Sequence, residues 1–417
     1  MIIPSIDLMG GQTVQLVGGE EMAVEAGDPR PILERFSRVG EVAVVDLDAA
    51  LGKGSNRDLI ADLVKIAPIR VGGGIRDVKT AIDWLDAGAT KVVLGTAAKP
   101  EILKELPRER VIAALDAKHG EVVVEGWQTG TGKRIEERMA ELRPYVGGFL
   151  VTLVESEGRL QGIDLARVKE LAAAAGDVEL TVAGGVTTPE DVAAIDRLGV
   201  HAQVGMALYT GKFDLASALV AMLSSDRPDG LFPTVIVDEL GVALGLAYSN
   251  EASLREALTS GKGAYHSRKR GLWKKGATSG AEQLLRRVDL DCDRDTIRFV
   301  VSQEGKGFCH KDTWTCWGDS EGLEALEATL KKRAIDSEPG SYTKRLFEDA
   351  ELLRKKLIEE AGELADAKEK EDVAAELADV LYFALVAAQK GGVQLRDAAR
   401  ILDLRARKVT RRKGDAK

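Results

Sequence analysis

The chain has 417 residues, with 58 Lys and Arg against 67 Asp and Glu, a formal charge of -9, and 45% apolar and 30% charged residues. At about 150 residues per domain this describes two to four globular domains with real cores, and the acidic balance disfavours nucleic acid as a partner. No run approaches the roughly 18 apolar residues of a membrane span, and Met1 leads straight into Ile2-Ile3-Pro4 without a signal-like basic segment. Three cysteines, an odd number, point to metal or catalytic thiols in a reducing cytoplasm and not to disulfides.

From residue 1 to about 223, short Val/Ile-rich runs (42–46, 69–72, 91–95, 111–116, 149–152, 179–184 and 202–205) alternate with helical patterns. That is the signature of βα units on a parallel sheet. The segment also repeats itself. Val71-Gly72-Gly73-Gly74-Ile75 recurs as Val182-Ala183-Gly184-Gly185-Val186, an offset of 182 - 71 = 111, and Gly95 and Asp7 recur at nearly the same offset as Gly205 and Asp116. Two half-barrels of four units predict a (β/α)8 TIM barrel over 1–223.

The active site of such a barrel lies at the carboxyl ends of its strands, where Asp7 and Asp116 fall on opposite strands. Two carboxylates across a pocket can divide into an acid and a base once their pKa values separate. Paired glycine turns, Gly73-Gly74 with Gly95-Thr96 and Gly184-Gly185 with Gly205, admit phosphate close to backbone N–H groups and imply a substrate phosphorylated at both ends. Ile3-Pro4-Ser5-Ile6-Asp7-Leu8, Val45-Asp46-Leu47-Asp48-Ala49-Ala50, Val71 to Arg76, Gly126-Trp127 and Ala183 to Val186 together resemble the histidine-biosynthesis isomerase that acts on ProFAR, a formimino-linked aminoimidazole carboxamide ribotide. The resemblance implies an Amadori rearrangement. In it Asp116 is the acid, Asp7 the base, Thr152 assists, and Trp127 and Arg76 border the substrate. Gln15, where the family usually has Arg, and Glu157-Gly158-Arg159, where it usually has Asp-Gly-Thr, are departures.

A turn-rich linker at 224–230 leads to a small α+β domain, expected over 230–322, with strands at 234–242 and 297–301 and a helix at 251–258. In it, Asp291-Cys292-Asp293-Arg294-Asp295 reads as a strand that crowds Asp291, Asp293 and Asp295 onto one face, where a cation would neutralise them. Cys292, on the other face, could meet Cys309 and Cys316: three thiolates with an open fourth position, the ligand count of a catalytic zinc. A solvated acidic strand with three buried cysteines is the plain alternative. The run Tyr265-His266-Ser267-Arg268, followed by Trp273, Lys275 and Ser279, offers cationic, hydroxyl and stacking groups to a phosphorylated nucleotide. Together these motifs resemble phosphoribosyl-AMP cyclohydrolase. The resemblance implies zinc-assisted hydrolytic opening of the adenine N1–C6 bond, Mg2+ on the three aspartates, His310 as proton carrier, and a homodimer. Ala281 stands where that family usually has Asn.

A second linker at 336–340 precedes an Ala/Leu/Glu/Lys-rich helical remainder, with the all-α domain expected over 341–410. Glu359, Glu360 and Glu363 share one helical face, and Glu376 and Asp379 share another. If the chain folds back near 368–371, position 360 meets 379 and 363 meets 376. Leu357, Leu364, Leu377, Val380 and Leu381 mark that side as buried, and oxygen-only ligands there suit Mg2+. The pattern resembles the all-α, MazG-like nucleotide pyrophosphohydrolases, and Ser341-Tyr342-Thr343, Lys355-Lys356 and Asp379 to Tyr382 narrow the resemblance to phosphoribosyl-ATP pyrophosphohydrolase, with Phe383 at a usual His. The basic tail from Arg405 reads as a frayed helix end.

Three resemblances in tandem imply a trifunctional histidine-biosynthesis enzyme acting on small phosphoribosyl substrates, with Zn2+ and Mg2+ as cofactors, dimeric through its cyclohydrolase and helical segments, and cytoplasmic. Two alternatives stay open: a barrel that also isomerises phosphoribosylanthranilate, and a helical segment that cleaves ordinary nucleoside triphosphates.

Overall fold

The computed structural model describes residues 1–410 apart from 20, 119, 125–128, 155, 156, 161, 320, 337 and 339. The Val/Ile-rich runs form strands because β-branched side chains pack well on a pleated surface. They are β1 (Ile2–Met9), β2 (Gln12–Val17), β3 (Glu21–Gly27), β4 (Val42–Asp46), β5 (Ile69–Gly72), β6 (Lys91–Leu94), β7 (Val111–Lys118), β8 (Glu121–Val124), β9 (Thr129–Arg134), β10 (Gly148–Leu153), β11 (Glu179–Ala183) and β12 (His201–Val204). Parallel pairing runs β1-β4-β5-β6-β7-β10-β11-β12 and back to β1, an eight-stranded closed barrel as predicted. Antiparallel excursions not foreseen from the sequence, β2–β3 after β1 and β8–β9 after β7, leave the barrel at corresponding points of its two halves.

The amino-terminal end of the barrel is closed by charge. Arg70, 2% exposed, donates to Glu41 (Nε to Oε2, 2.8 Å), Glu179 (3.2 Å) and Thr181 Oγ1 (3.0 Å), and Lys91 also reaches Glu179 at 2.5 Å. Positions 70 and 181 correspond in the two halves, so repeat-related residues meet across the interior. Removing one partner of such a network leaves buried charge uncompensated. Arg70→Ala is expected to cost about 3–5 kcal/mol in denaturant unfolding of the barrel.

A four-stranded sheet follows, in the order β14-β13-β18-β17, from β13 (Phe232–Val237), β14 (Ala243–Ser249), β17 (Gln283–Leu290) and β18 (Ile297–Gln303). A separate hairpin pairs β15 (Ala264–Ser267) with β16 (Gly271–Lys274), and the helix Glu251–Ser260 is capped by Asn250. The strand expected over 234–242 stops at Val237, because Asp238 Oδ1 accepts from Leu240 and Val242 N–H groups at 2.9 Å and turns the chain. The acidic stretch 291–295 is not a strand. It is the loop between β17 and β18, with Arg294 at φ 64, so alternation does not order its side chains.

Residues 306–406 form a second compact unit, whereas 1–305 and 407–417 belong to the first. The second unit contains the helices Gly322–Ile335, Tyr342–Glu348, Ala350–Asp366, Lys370–Lys390 and Leu395–Ala406. Its core gathers Leu330, Leu346, Leu353, Phe383, Leu385 and Val386. The predicted hairpin forms between the third and fourth of these helices. The tail is not a frayed end as far as it is described: Asp86 accepts from the N–H groups of Val409 (2.7 Å) and Thr410 (3.0 Å), and Arg110 donates to the Arg407 carbonyl at 2.6 Å.

Candidate active sites

Asp7 lies near the carboxyl end of β1, and Asp116 on β7 is in register with Thr152 on β10, which sets these two side chains on neighbouring strands. Burial pushes the Asp7 carboxyl up to about 7, against the hydrogen bond that Gln15 Nε2 donates to it at 3.0 Å. Glu157, not picked out as a catalytic candidate from the sequence, is likewise raised to about 7, by burial first and then by the charges of Asp7 and Asp116. Glu157 therefore lies close enough to Asp7 and Asp116 to feel both charges. Glu157 Oε2 is buried without a hydrogen-bond partner, in a small cavity lined by Ser5, Gly184, Gly185 and Gly205. The only hints to it in the sequence were its departure from Asp-Gly-Thr and its nearness to Thr152.

Gln15 was the other flagged departure, and the structure gives it a role in positioning. It is 4% exposed, donates to Asp7, and its Oε1 would lie 2.3 Å from a Cβ at position 205, so a side chain there would displace the amide that holds Asp7. Gly73, at φ +90, would place a Cβ 2.2 Å from the Asp46 carbonyl oxygen, so it is set by close packing as well as by any ligand. Gly95 has open space where a Cβ would stand, with exposed Thr96 beside it. Arg76 donates to the carbonyls of Ala49 and Ala50 at 3.2 Å. Trp127 lies outside the described residues.

In the second sheet region, the β15–β16 hairpin carries His266 and Trp273, and Asn250 Nδ2 lies 3.0 Å from His266 Nδ1. Arg268 stacks on Tyr248 at 4.9 Å, Arg270 covers Trp273 at 5.6 Å, Lys275 is buried, and Ser279 is exposed. Ala281 is buried at 7% exposure, with its N–H on Ser279 Oγ. Although the strand is absent, oxygens of Asp291, Asp293 and Asp295 approach within 4.8 Å of one another. Asp291 Oδ1 accepts the N–H groups of Asp295 (3.0 Å) and Thr296 (3.1 Å), which tightens the loop. None of the three cysteines forms a disulfide; Cys292 is exposed on this loop in the first unit, while Cys309 and Cys316 belong to the second. Backbone and hydroxyl hydrogen bonds, from Lys311 N–H and Thr313, draw the Cys309 thiol below its ordinary value, with Cys316 also contributing, and His310 Nδ1 lies 3.9 Å from Cys309 Sγ. A thiol favoured as thiolate is the form that binds a soft metal.

In the helical unit, carboxylate oxygens of Glu360, Glu363 and Glu376 fall within 4.8 Å of one another. Glu359 turns away to Lys356 at 2.9 Å, and the same Lys356 also reaches Glu360 at 3.1 Å. Asp379, exposed, is outside the group of three but adds to the charge felt by Glu376. The face is less buried than the apolar spacing predicted. Leu377 is 44% exposed. Desolvation and then Glu363, Glu360 and Asp379 raise the Glu376 carboxyl, and its Oε2 is buried without a hydrogen bond. Like charges converging on an orphaned oxygen form a donor set that suits a hard divalent cation. Phe383 sits in the core, edge-on to Tyr382 and Tyr342, so this departure from the family pattern serves packing.

Residues 1–214 match the family described as Histidine biosynthesis protein, 245–318 match Phosphoribosyl-AMP cyclohydrolase, and 323–406 match Phosphoribosyl-ATP pyrophosphohydrolase. The histidine biosynthesis bifunctional protein his7 of Schizosaccharomyces pombe is 56% identical over 206 residues, 49% of this chain and 49% of its own length. The histidine biosynthesis trifunctional protein of Neurospora crassa is 39% identical over 359 residues, covering 82% of this chain and 38% of its own. A phosphoribosyl imidazole-4-carboxamide isomerase of Methanocaldococcus jannaschii is 36% identical over 232 residues, 52% of this chain and 98% of its own. The chain thus spans half or less of the multifunctional relatives it matches, and nearly all of the isomerase. With the first match running through residues 1–214 of 417, the chain belongs to the histidine biosynthesis protein family.

Proposed function

We propose that the chain carries three successive activities: cleavage of phosphoribosyl-ATP to phosphoribosyl-AMP and pyrophosphate at 341–410, hydrolytic opening of the adenine ring at 230–322, and isomerisation of ProFAR by the barrel at 1–223. The observation that carries the reading is the buried Asp7 near the carboxyl end of β1, its carboxyl raised to about 7, where a carboxylate works best as a base, with Glu157 near enough to feel the charges of Asp7 and Asp116. Asp116 protonates the ring oxygen and opens the ribose; Asp7 removes the C2 proton, and Thr152, in register with Asp116, hydrogen-bonds the reacting segment. The turns at Gly73-Gly74 with Gly95-Thr96, and at Gly184-Gly185 with Gly205, receive the two phosphates. Arg76 and Trp127 border the substrate.

Cys292, Cys309 and Cys316 would hold zinc, which when bound supplies an acidified water, and His310 carries the proton to the leaving nitrogen. His266, Arg268, Trp273, Lys275 and Ser279 seat the nucleotide, and Asp291, Asp293 and Asp295 would hold Mg2+ beside its phosphate. Glu360, Glu363 and Glu376 would hold a second Mg2+, with Glu359 and Asp379 completing its surroundings. Exposed Leu377, Ile401 and Leu402, at 44%, 50% and 62%, support dimerisation through the helical unit, and three unbridged thiols support a reducing cytoplasm. No described helix is long and apolar enough to cross a membrane.

The test is separate assays of the three steps on the purified chain. Cys292→Ser is expected to lose ring opening and bound zinc while isomerisation persists; loss of both together contradicts independent sites. Parallel assays with phosphoribosylanthranilate and ordinary nucleoside triphosphates delimit the barrel and the helical unit.

A further inference from the structure

The acidic loop of the second sheet is held by the barrel. Arg294, the residue between Asp293 and Asp295, donates from Nε to Asp196 Oδ2 at 2.9 Å and from Nη2 to Asp196 Oδ1 at 3.1 Å, a two-pronged pair. Asp196 lies in the barrel helix Pro189–Arg197 and is 9% exposed. The same guanidinium donates from Nη1 to the Asp291 carbonyl at 2.5 Å, and the Arg294 carbonyl accepts from Ser224 N–H at 2.7 Å. Thus the one residue of the loop with a left-handed backbone, φ 64, is fixed from three sides. Its neighbours are the loop's carboxylates.

We infer that Asp196 of the barrel is a positioning residue for the cation loop at Asp291, Asp293 and Asp295, acting through Arg294. Anchoring the loop at Arg294 fixes the backbone on either side of it, so the three carboxylates stay within reach of one another without a cation to gather them. The barrel then serves a reaction other than its own, and separating the two segments would weaken cation binding even if each folded. The inference rests on reading this loop as a divalent-cation site.

The experiment measures Mn2+ affinity of the full chain by electron paramagnetic resonance, with Asp291→Asn identifying which bound ion belongs to the loop. Asp196→Asn is expected to weaken that site by at least about tenfold, in the range seen when groups supporting metal ligands are lost, with kcat and KM of isomerisation unchanged. Arg294→Gln should weaken it comparably, and adding Asp196→Asn to Arg294→Gln should bring no further loss, because Asp196, although it also accepts from the Met1 amino group at 2.5 Å, reaches the loop only through the arginine. If Asp291→Asn loses the ion and Asp196→Asn keeps wild-type affinity, the positioning role is wrong. If Asp291→Asn itself changes nothing, the loop is no cation site, and the inference falls with that reading.

Discussion

Asp7→Asn is expected to lower kcat for ProFAR isomerisation by about 10²–10⁴, the usual contribution of a positioned general base, and to leave ring opening and pyrophosphate release unchanged. In the wild type the rate should rise as Asp7 loses its proton, falling about tenfold per pH unit below pH 7. The same raised pKa has a cost in stability. A carboxyl held near 7 when folded and near 3.8 when unfolded contributes stability that is fully present below about pH 4 and is lost as pH rises through 7. Asp7→Asn should therefore melt a few degrees above wild type at pH 8, and the difference should close by pH 4. Equal melting temperatures at pH 8, or unchanged turnover, would remove Asp7 from its role.

Glu376→Gln should abolish pyrophosphate release, by at least about 100-fold, since loss even of groups supporting metal ligands costs up to that much. Its second signature is independent of activity. In the metal-free chain, deleting one of three converging carboxylates relieves repulsion, so the helical unit should become more stable, whereas the stabilisation that added Mg2+ gives the wild type should vanish. Glu359→Gln should do much less to metal binding, because Glu359 faces Lys356 and stands outside the group of three. Equal effects of the two changes on Mg2+-induced stabilisation would contradict this geometry.

What could be read from the sequence followed from periodicity. The barrel was legible because each parallel strand is a short apolar run, and because two halves repeat glycines and aspartates at one offset. The glutamate group was legible because helical spacing and a hairpin fix which positions meet. Asp-Cys-Asp-Arg-Asp alternates like a strand, whereas its backbone is set by bonds that alternation does not encode: a non-local pair from Arg294 to Asp196, 98 residues away, and the turn closed when Asp291 accepts from Thr296 N–H. Glu157 and Gln15 were visible only as odd residues in familiar positions. Their roles come from what surrounds them, a buried oxygen beside Gly184 and a side chain reaching from β2 to Asp7.

The most direct measurement supplies the purified chain with phosphoribosyl-ATP, Mg2+ and Zn2+ and follows products by chromatography. Pyrophosphate, the opened-ring aminoaldose and finally the aminoketose should form in that order, and the Asp7→Asn chain should stop at the aminoaldose. If the wild-type chain leaves the aminoaldose unconverted, or if Asp7→Asn still yields the aminoketose, the assignment of three working sites with an acid–base barrel is contradicted.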